Sequence, residues 1–272
     1  MPSFRHHGVE FCYSDGGRAG SPHSVVFLHG LLVSSEVWAP QMERLAPIHR
    51  VLAIDWPGHG VSPPNSPITS IDDLVDAVAS FMDELGVRRG AFVGLSLGGI
   101  VALALSSRFP DRVESLALLS TPRAPETEIQ RARHLETLKA ASRIGQTAVL
   151  RGIAHRLFGA TTRRTRPELV SAWLERATRL DLDSVRSLSE AALGRPEAPL
   201  LAEGAPRTLV VHGDEDALVS RADSEALAES LGNATFVTIP ESGHLIPLER
   251  PDALAEALAV FFGTGKGAQQ SL

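Results

Sequence analysis

Residues 90 to 105 read GAFVGLSLGGIVALAL, and this stretch sets the reading of the whole chain. A short apolar run, Ala91 to Val93, leads into Gly94-Leu95-Ser96-Leu97-Gly98-Gly99, and Ile100 to Leu105 then begins an apolar segment long enough, with its continuation, for a buried helix. The pattern is strand, tight turn, helix. A turn this sharp strains the backbone of its central residue and brings strand and helix too close for side chains, which gives Gly94 and Gly98 a steric purpose. Ser96 is then presented at the tip instead of packed. In a chain with 23 glycines the pentapeptide G-x-S-x-G also fits an ordinary strand-to-helix turn, so its surroundings decide between the two.

On the N-terminal side, Ile71 to Leu85 carries apolar residues at 71, 74, 75, 78, 81, 82 and 85, a helical stripe. Before it lies a buried strand, Val51 to Ile54, closed by the turn-forming Asp55 to Ser62, which is read as structural. Further out come a short helix, Trp38 to Leu45, a loop, Leu31 to Ser35, and a strand, Ser24 to Leu28, ending at His29-Gly30. Val9 to Ser14 reads as the first strand, with Asp15 to Ser21 as its Gly-rich turn. On the C-terminal side, Val113 to Leu119 is another strand. The rhythm then breaks: Pro122 to Pro199 offers helices only, at Glu126 to Ala140, Gly145 to Phe158, Pro167 to Thr178 and Ser184 to Leu193. It resumes with a strand Arg207 to Val211, a helix Arg221 to Leu231, a strand Thr235 to Ile239 and a closing helix Pro251 to Phe262.

Strands alternating with helices imply crossover units, hence an α/β fold with a mostly parallel, doubly wound sheet. Neither flank is complete without the other, so residues 1–121 and 200–272 are expected to form one core domain and residues 122–199 an inserted all-helical cap. Charge separates the two bodies: Pro122 to Pro199 carries 14 Arg and Lys against 9 Asp and Glu, and the rest of the chain 12 against 23.

The net charge of −6 argues against a general nucleic-acid surface. The polar start, Met1 to Glu10, lacks the apolar centre of a signal peptide, and no apolar run approaches the roughly 20 residues that span a bilayer, so a cytoplasmic location is the expectation. Only the tail, Gly263 to Leu272, reads as disordered. The single Cys12, between Phe11 and Tyr13, reads as a strand residue and not as a thiol nucleophile. No metal-ligand spacing and no phosphate loop is present, so no cofactor and no metal are expected; oligomeric state leaves no signal.

A serine becomes a strong nucleophile when a histidine takes its proton and a buried carboxylate orients that histidine. Of ten histidines, His244 lies in a suitable place, in Pro240-Glu241-Ser242-Gly243-His244 after the last strand. His29 and His212 end strands and read as structural. The carboxylate candidates follow the strand at Arg207 to Val211: Asp214, Glu215 and Asp216. A turn beginning at Gly213 needs some length before pointing back at His244, and Ser220 with Asp223 already caps the next helix, so Asp216 is chosen over Asp214.

The whole chain resembles α/β-hydrolase fold proteins with a helical cap. The resemblance rests on five motifs in order: strand-HG at His29-Gly30, the D-x-P-G-x-G-x-S turn at Asp55 to Ser62, GLSLGG at the elbow, GDEDALV after Val211-His212, and SGH before the terminal helix. It implies a catalytic triad of Ser96, Asp216 and His244, with the N–H groups of Leu31 and Leu97 as oxyanion hole. Leu97 opens a helix, whose orphan N–H groups and dipole favour a developing oxyanion. Many relatives have proline where Ser220 stands, a departure confined to a helix start.

Serine at the elbow argues against haloalkane dehalogenases and epoxide hydrolases of this fold, which use aspartate there. Relatives that cleave carbon–carbon bonds often carry an aromatic residue after the histidine, where this chain has Leu245. Enol-lactonases and small-ester carboxylesterases share the GLSLGG spelling. The expectation is therefore a serine hydrolase of small carboxylic esters or lactones; acyl transfer, cyclisation, carbon–carbon hydrolysis and a slow-turnover small-molecule receptor are the alternatives. Leu32, Trp38, Leu218, Leu245 and Ile246 flank the motifs and are expected to line an apolar substrate pocket. Phe158 and Trp173 are expected to pack within the cap. Arg163, Arg164 and Arg166 form either a solvated basic loop or an attractor for an acidic substrate.

Overall fold

The computed structural model describes residues 1–18, 20–21, 23–64, 68–197 and 205–263. The expected disordered tail falls, beyond Gly263, outside these residues. The chain opens with a hairpin of β1 (Ser3–His6) and β2 (Val9–Gly17). Then come β3 (Ser24–Leu28), a 3₁₀ turn at Ser35–Trp38, α1 (Ala39–Leu45), β4 (Arg50–Ile54), α2 (Ile71–Glu84), β5 (Gly90–Leu95), α3 (Leu97–Arg108) and β6 (Val113–Leu119). Consecutive helices follow: α4 (Glu128–Ile144), α5 (Gln146–Leu157), α6 (Ala160–Thr165), α7 (Pro167–Ala177) and α8 (Leu182–Leu193). The chain returns through β7 (Arg207–Gly213), α9 (Arg221–Ser230), β8 (Ala234–Ile239), α10 (Ile246–Glu249) and α11 (Pro251–Phe261).

The strands form one eight-stranded sheet in the order β1-β2-β4-β3-β5-β6-β7-β8. β2 is antiparallel to β1 and to β4, and every pairing from β4 through β8 is parallel. This is the mostly parallel α/β sheet that the alternating pattern implies, in the arrangement that the resemblance to α/β-hydrolase fold proteins leads one to expect. β3 and β5 are buried along their whole length, which explains why both read as continuous apolar runs. Cores on the two sides of the sheet hold the apolar faces of the flanking helices. In α2 the stripe of Ile71, Leu74, Val75, Val78, Phe81 and Met82 is buried, each large side chain contributing about 1.5–3 kcal/mol. Ser70 and Asp73 close its N-terminus as a reciprocal capping box.

Three features differ from the sequence reading. β1 was not anticipated, because Ser3-Phe4-Arg5-His6 has one apolar residue; it is held by pairing Phe4 with Phe11 of β2 and by packing that ring 4.9 Å from Phe11 and 5.0 Å from Phe81. The expected turn from Asp15 is strand through Gly17, since β4 supplies a partner and Arg50 binds the Asp15 carboxylate at 2.7 and 3.1 Å. The short helices α6 and α10 also escaped notice, being too brief for periodicity to register.

Candidate active site

The turn at Ser96 joins β5 to α3, whose faces are almost entirely buried. Ser96 has φ +51° and ψ −109°, a backbone state that costs a non-glycine residue on the order of 1–3 kcal/mol and persists only where its surroundings enforce it. They do so here by close approach. A Cβ on Gly98 would run into the carbonyl of Leu28 in β3, and one on Gly94 would lie 2.5 Å from the Gly98 and Gly99 backbone. The Ser96 N–H donates to the Leu119 carbonyl at 2.9 Å, tying the tip to β6. Leu32 (φ +63°) and Ser120 (φ +45°) are strained as well, so backbone strain gathers at the carboxyl ends of β3, β5 and β6.

Asp216 and His244 follow β7 and β8, on the same edge of the sheet as Ser96. His244 Nδ1 lies 3.0 Å from Asp216 Oδ2 and 3.3 Å from Oδ1, with side-chain exposures of 6% and 0%, so the bond is shielded from water. Asp216 Oδ1 also accepts the N–H groups of Leu218 at 2.8 Å and Val219 at 3.1 Å. Burial alone would raise the Asp216 carboxyl, but the neighbouring His244 and these donors outweigh it and hold the pKa at about 2. An ionised carboxylate only accepts, so Nδ1 of His244 carries the proton and neutral His244 keeps a bare Nε2. Asp214 is exposed and takes the Ser242 N–H at 3.3 Å, bracing the loop.

The loop after β3 reaches the same edge. A Cβ on Gly30 would sit 3.4 Å from Ser96 Cβ, so the backbone leading to Leu31 passes directly beside the serine. Leu97 is the first residue of α3, where N–H groups have no intrahelical acceptor. The Asp55 turn holds this loop from below. His29 Nδ1 donates to the Gly30 carbonyl at 2.7 Å, and its Nε2 accepts the Trp56 N–H at 3.0 Å. Asp55 accepts from the N–H of Ser35 at 2.7 Å and of Val61 at 3.1 Å. Burial holds His29 at about 4 and His59 at about 3, so both are neutral at ordinary pH.

The five apolar residues expected around a pocket separate. Leu32 is half-buried, and its carbonyl accepts the indole N–H of Trp173 from α7 at 3.0 Å. Leu245 and Ile246 are wholly packed into the core. Trp38 has no exposed surface and packs 5.3 Å from Phe27, and Leu218 is 37% exposed on the outside. Sequence adjacency to a motif does not set side-chain direction, and the five side chains differ in exposure accordingly. Phe158 and Trp173 meet edge to face at 5.5 Å and belong to the cluster that includes Leu245. The arginine cluster is largely internal bracing: Arg163 donates to the carbonyls of His155 and Phe158 at 2.5 Å each, Arg166 donates to that of Glu249, and Arg164 is exposed.

Two further carboxylates lie near the site: Glu215, one of the three acid candidates of the sequence, and Glu249, which the sequence did not single out. Glu215 binds the Thr161 N–H at 2.7 Å and its hydroxyl at 2.5 Å. Glu249 is fully buried and accepts the N–H groups of Gly159 and Gly243, both at 2.9 Å. The available signal for Glu249 was a lone acid among Ile246, Pro247 and Leu248. Among the described residues no helix is long and apolar enough to cross a membrane.

Comparison with known proteins bears on the fold and the family. The chain is 30% identical over 253 residues to the dihydrolipoyllysine-residue acetyltransferase component of the acetoin cleaving system of Cupriavidus necator, covering 89% of this chain but 64% of that relative, less than two thirds of its length. It is also 30% identical over 253 residues to the pimeloyl-[acyl-carrier protein] methyl ester esterase of Xanthomonas campestris pv. campestris, covering 89% of this chain and 96% of that one. The crystal structure of the enol-lactonase from Burkholderia xenovorans LB400 superposes with a TM-score of 0.87 at 28% identity, over 96% of this chain and 99% of the other. The family model described as alpha/beta hydrolase fold matches residues 23–251. The sheet order, the strained serine turn and this match over most of the length lead to one conclusion: the chain belongs to the α/β hydrolase fold family.

Proposed function

We propose that this protein is a serine hydrolase of small carboxylic esters or lactones, with Ser96, His244 and Asp216 as its triad. The observation that carries the reading is the buried Asp216–His244 hydrogen bond at the sheet edge where Ser96 is held in its strained turn. Nε2 of His244 takes the Ser96 proton as Oγ bonds to the substrate carbonyl carbon, and the oxyanion rests on the N–H groups of Leu31 and Leu97. His244 returns the proton to the departing alkoxide, leaving an ester on Ser96. Water then attacks that ester with His244 again as base, and the acid is released with Ser96 restored. In a lactone the alkoxide stays attached and one hydroxy acid results.

Residues 122–199 serve as the cap over the core of residues 1–121 and 200–272 and exclude water from the acyl-enzyme. The relatives named as a methyl ester esterase and an enol-lactonase support this substrate class. The test is labelling with a fluorophosphonate together with turnover of an aryl-ester and lactone panel. Stoichiometric labelling that disappears in Ser96→Ala, with many turnovers per enzyme, is the expected result. A folded wild-type protein that neither labels nor turns over would refute it. Partitioning of product toward an added alcohol reads out acyl transfer in competition with hydrolysis.

A further inference from the structure

We propose that Glu249 is a positioning residue for catalysis, clamping the loop that carries His244 onto the Leu157–Thr161 corner of the helical insertion; the assignment rests on the triad reading above. One carboxylate oxygen, Oε1, accepts the N–H of Gly243, the residue before His244, and the other, Oε2, accepts the N–H of Gly159 between α5 and α6, each at 2.9 Å. Glu249 is fully buried, and among the described residues no cation lies within ion-pair distance of its carboxylate. Taking a carboxylate out of water without a counter-ion is costly: burial pushes the Glu249 carboxyl up, and the Thr162 side chain and the N–H groups of Gly159, Gly243 and Leu245 offset this only in part. The two N–H groups at 2.9 Å are the ones that join the His244 loop to the insertion.

Other bonds converge on the same corner. The Leu157 carbonyl accepts the N–H groups of His244 at 2.9 Å and Leu245 at 3.3 Å. Glu215, one residue before Asp216, holds Thr161, and its own N–H donates to the Ser242 carbonyl at 2.8 Å. The packing leaves no slack: a Cβ on Gly243 would strike the Gly159 N, and one on Gly159 would strike the Glu215 carboxylate. The loops bearing His244 and Asp216 therefore share one abutment, supplied by the insertion. This corner is a fixed part of the catalytic frame; any lid opening belongs to other parts of residues 122–199.

The decisive variant is Glu249→Gln, which keeps size but offers one acceptor oxygen where two N–H donors converge. A misplacement of about 1 Å costs on the order of 10²-fold, so kcat on an aryl ester is expected to fall about 10- to 100-fold with KM within about twofold. Fluorophosphonate labelling of Ser96 should slow in parallel. Glu249→Asp, charged but too short to reach both donors, should fall in the same direction. Hydrogen exchange on the wild-type protein, which needs no variant to fold, should show the amides of Gly159, Gly243 and His244 opening together. A folded Glu249→Gln with kcat within twofold of wild type, or Gly159 exchanging independently of Gly243, overturns the proposal. If Ser96→Ala retains wild-type turnover, the triad reading fails instead, and the two failures are thereby distinguished.

Discussion

Asp216 and Asp214 stand two residues apart and have different work. Asp216 is closed off from solvent with three donors on its carboxylate, whereas Asp214 is exposed and braces Ser242. Asp216→Asn keeps the shape of the side chain but presents an amide that can point a donor at Nδ1, reversing the tautomer so that Nε2 no longer accepts the Ser96 proton. Its kcat should fall on the order of 10⁴-fold in a folded protein. Asp214→Asn should cost less than about tenfold, or about 1.4 kcal/mol of barrier. Steady-state kinetics of the two variants against one aryl ester checks the ranking, and a reversed order would assign the acid to Asp214.

At the scale of elements, α7 touches the loop after β3 where the Trp173 indole N–H donates to the Leu32 carbonyl, and Arg176 of the same helix lies 3.7 Å from Glu36 just beyond that loop. Leu32 has φ +63°, so this bond helps to hold a strained residue next to the proposed Leu31 donor. Trp173→Phe keeps an aromatic ring against Phe158 but leaves that carbonyl without its partner, a loss of about 1–3 kcal/mol if water cannot replace it. The expected result is a lower urea midpoint together with a kcat several-fold lower at similar KM. Equal kinetics at reduced stability would show that α7 only packs and does not set the loop.

At the scale of the whole molecule, acid should unfold the protein earlier than its carboxylates alone would require. His29 and His59 are fully buried and held neutral, at about 4 and about 3. An unfolded chain protonates both near pH 6.5, so the stability they confer is complete above that value and drains away as pH falls toward 4 and 3. Each contributes a slope of about 1.4 kcal/mol per pH unit through its window. Asp216 adds to the loss only below its unfolded value of 3.8, down to about 2. Burial also lowers His6, His49 and His212, so urea unfolding between pH 7 and pH 4.5 should show stability falling with a slope of at least about two protons, and His59→Gln should reduce that slope by about one. A flat profile over that range would mean these histidines are protonated in the fold.

The sequence by itself determined the architecture and the order of the candidate site, because those signals are local. Continuous apolar runs mark strands buried on both faces, a stripe marks α2, and Gly94 and Gly98 announce the close approach that strains Ser96. Counting residues along the loop after β7 was enough to prefer Asp216. What only the tertiary structure decided depends on partners distant in the chain. β1 exists because Phe4 finds Phe11 and Phe81; Trp38 turns into the core although it neighbours a motif. Arg163 and Arg166 read as surface charge until backbone carbonyls appear in front of them. Glu249 carries no reading of its own in the sequence, since its meaning lies in two N–H groups, one six residues back and one ninety residues back, which no periodicity connects.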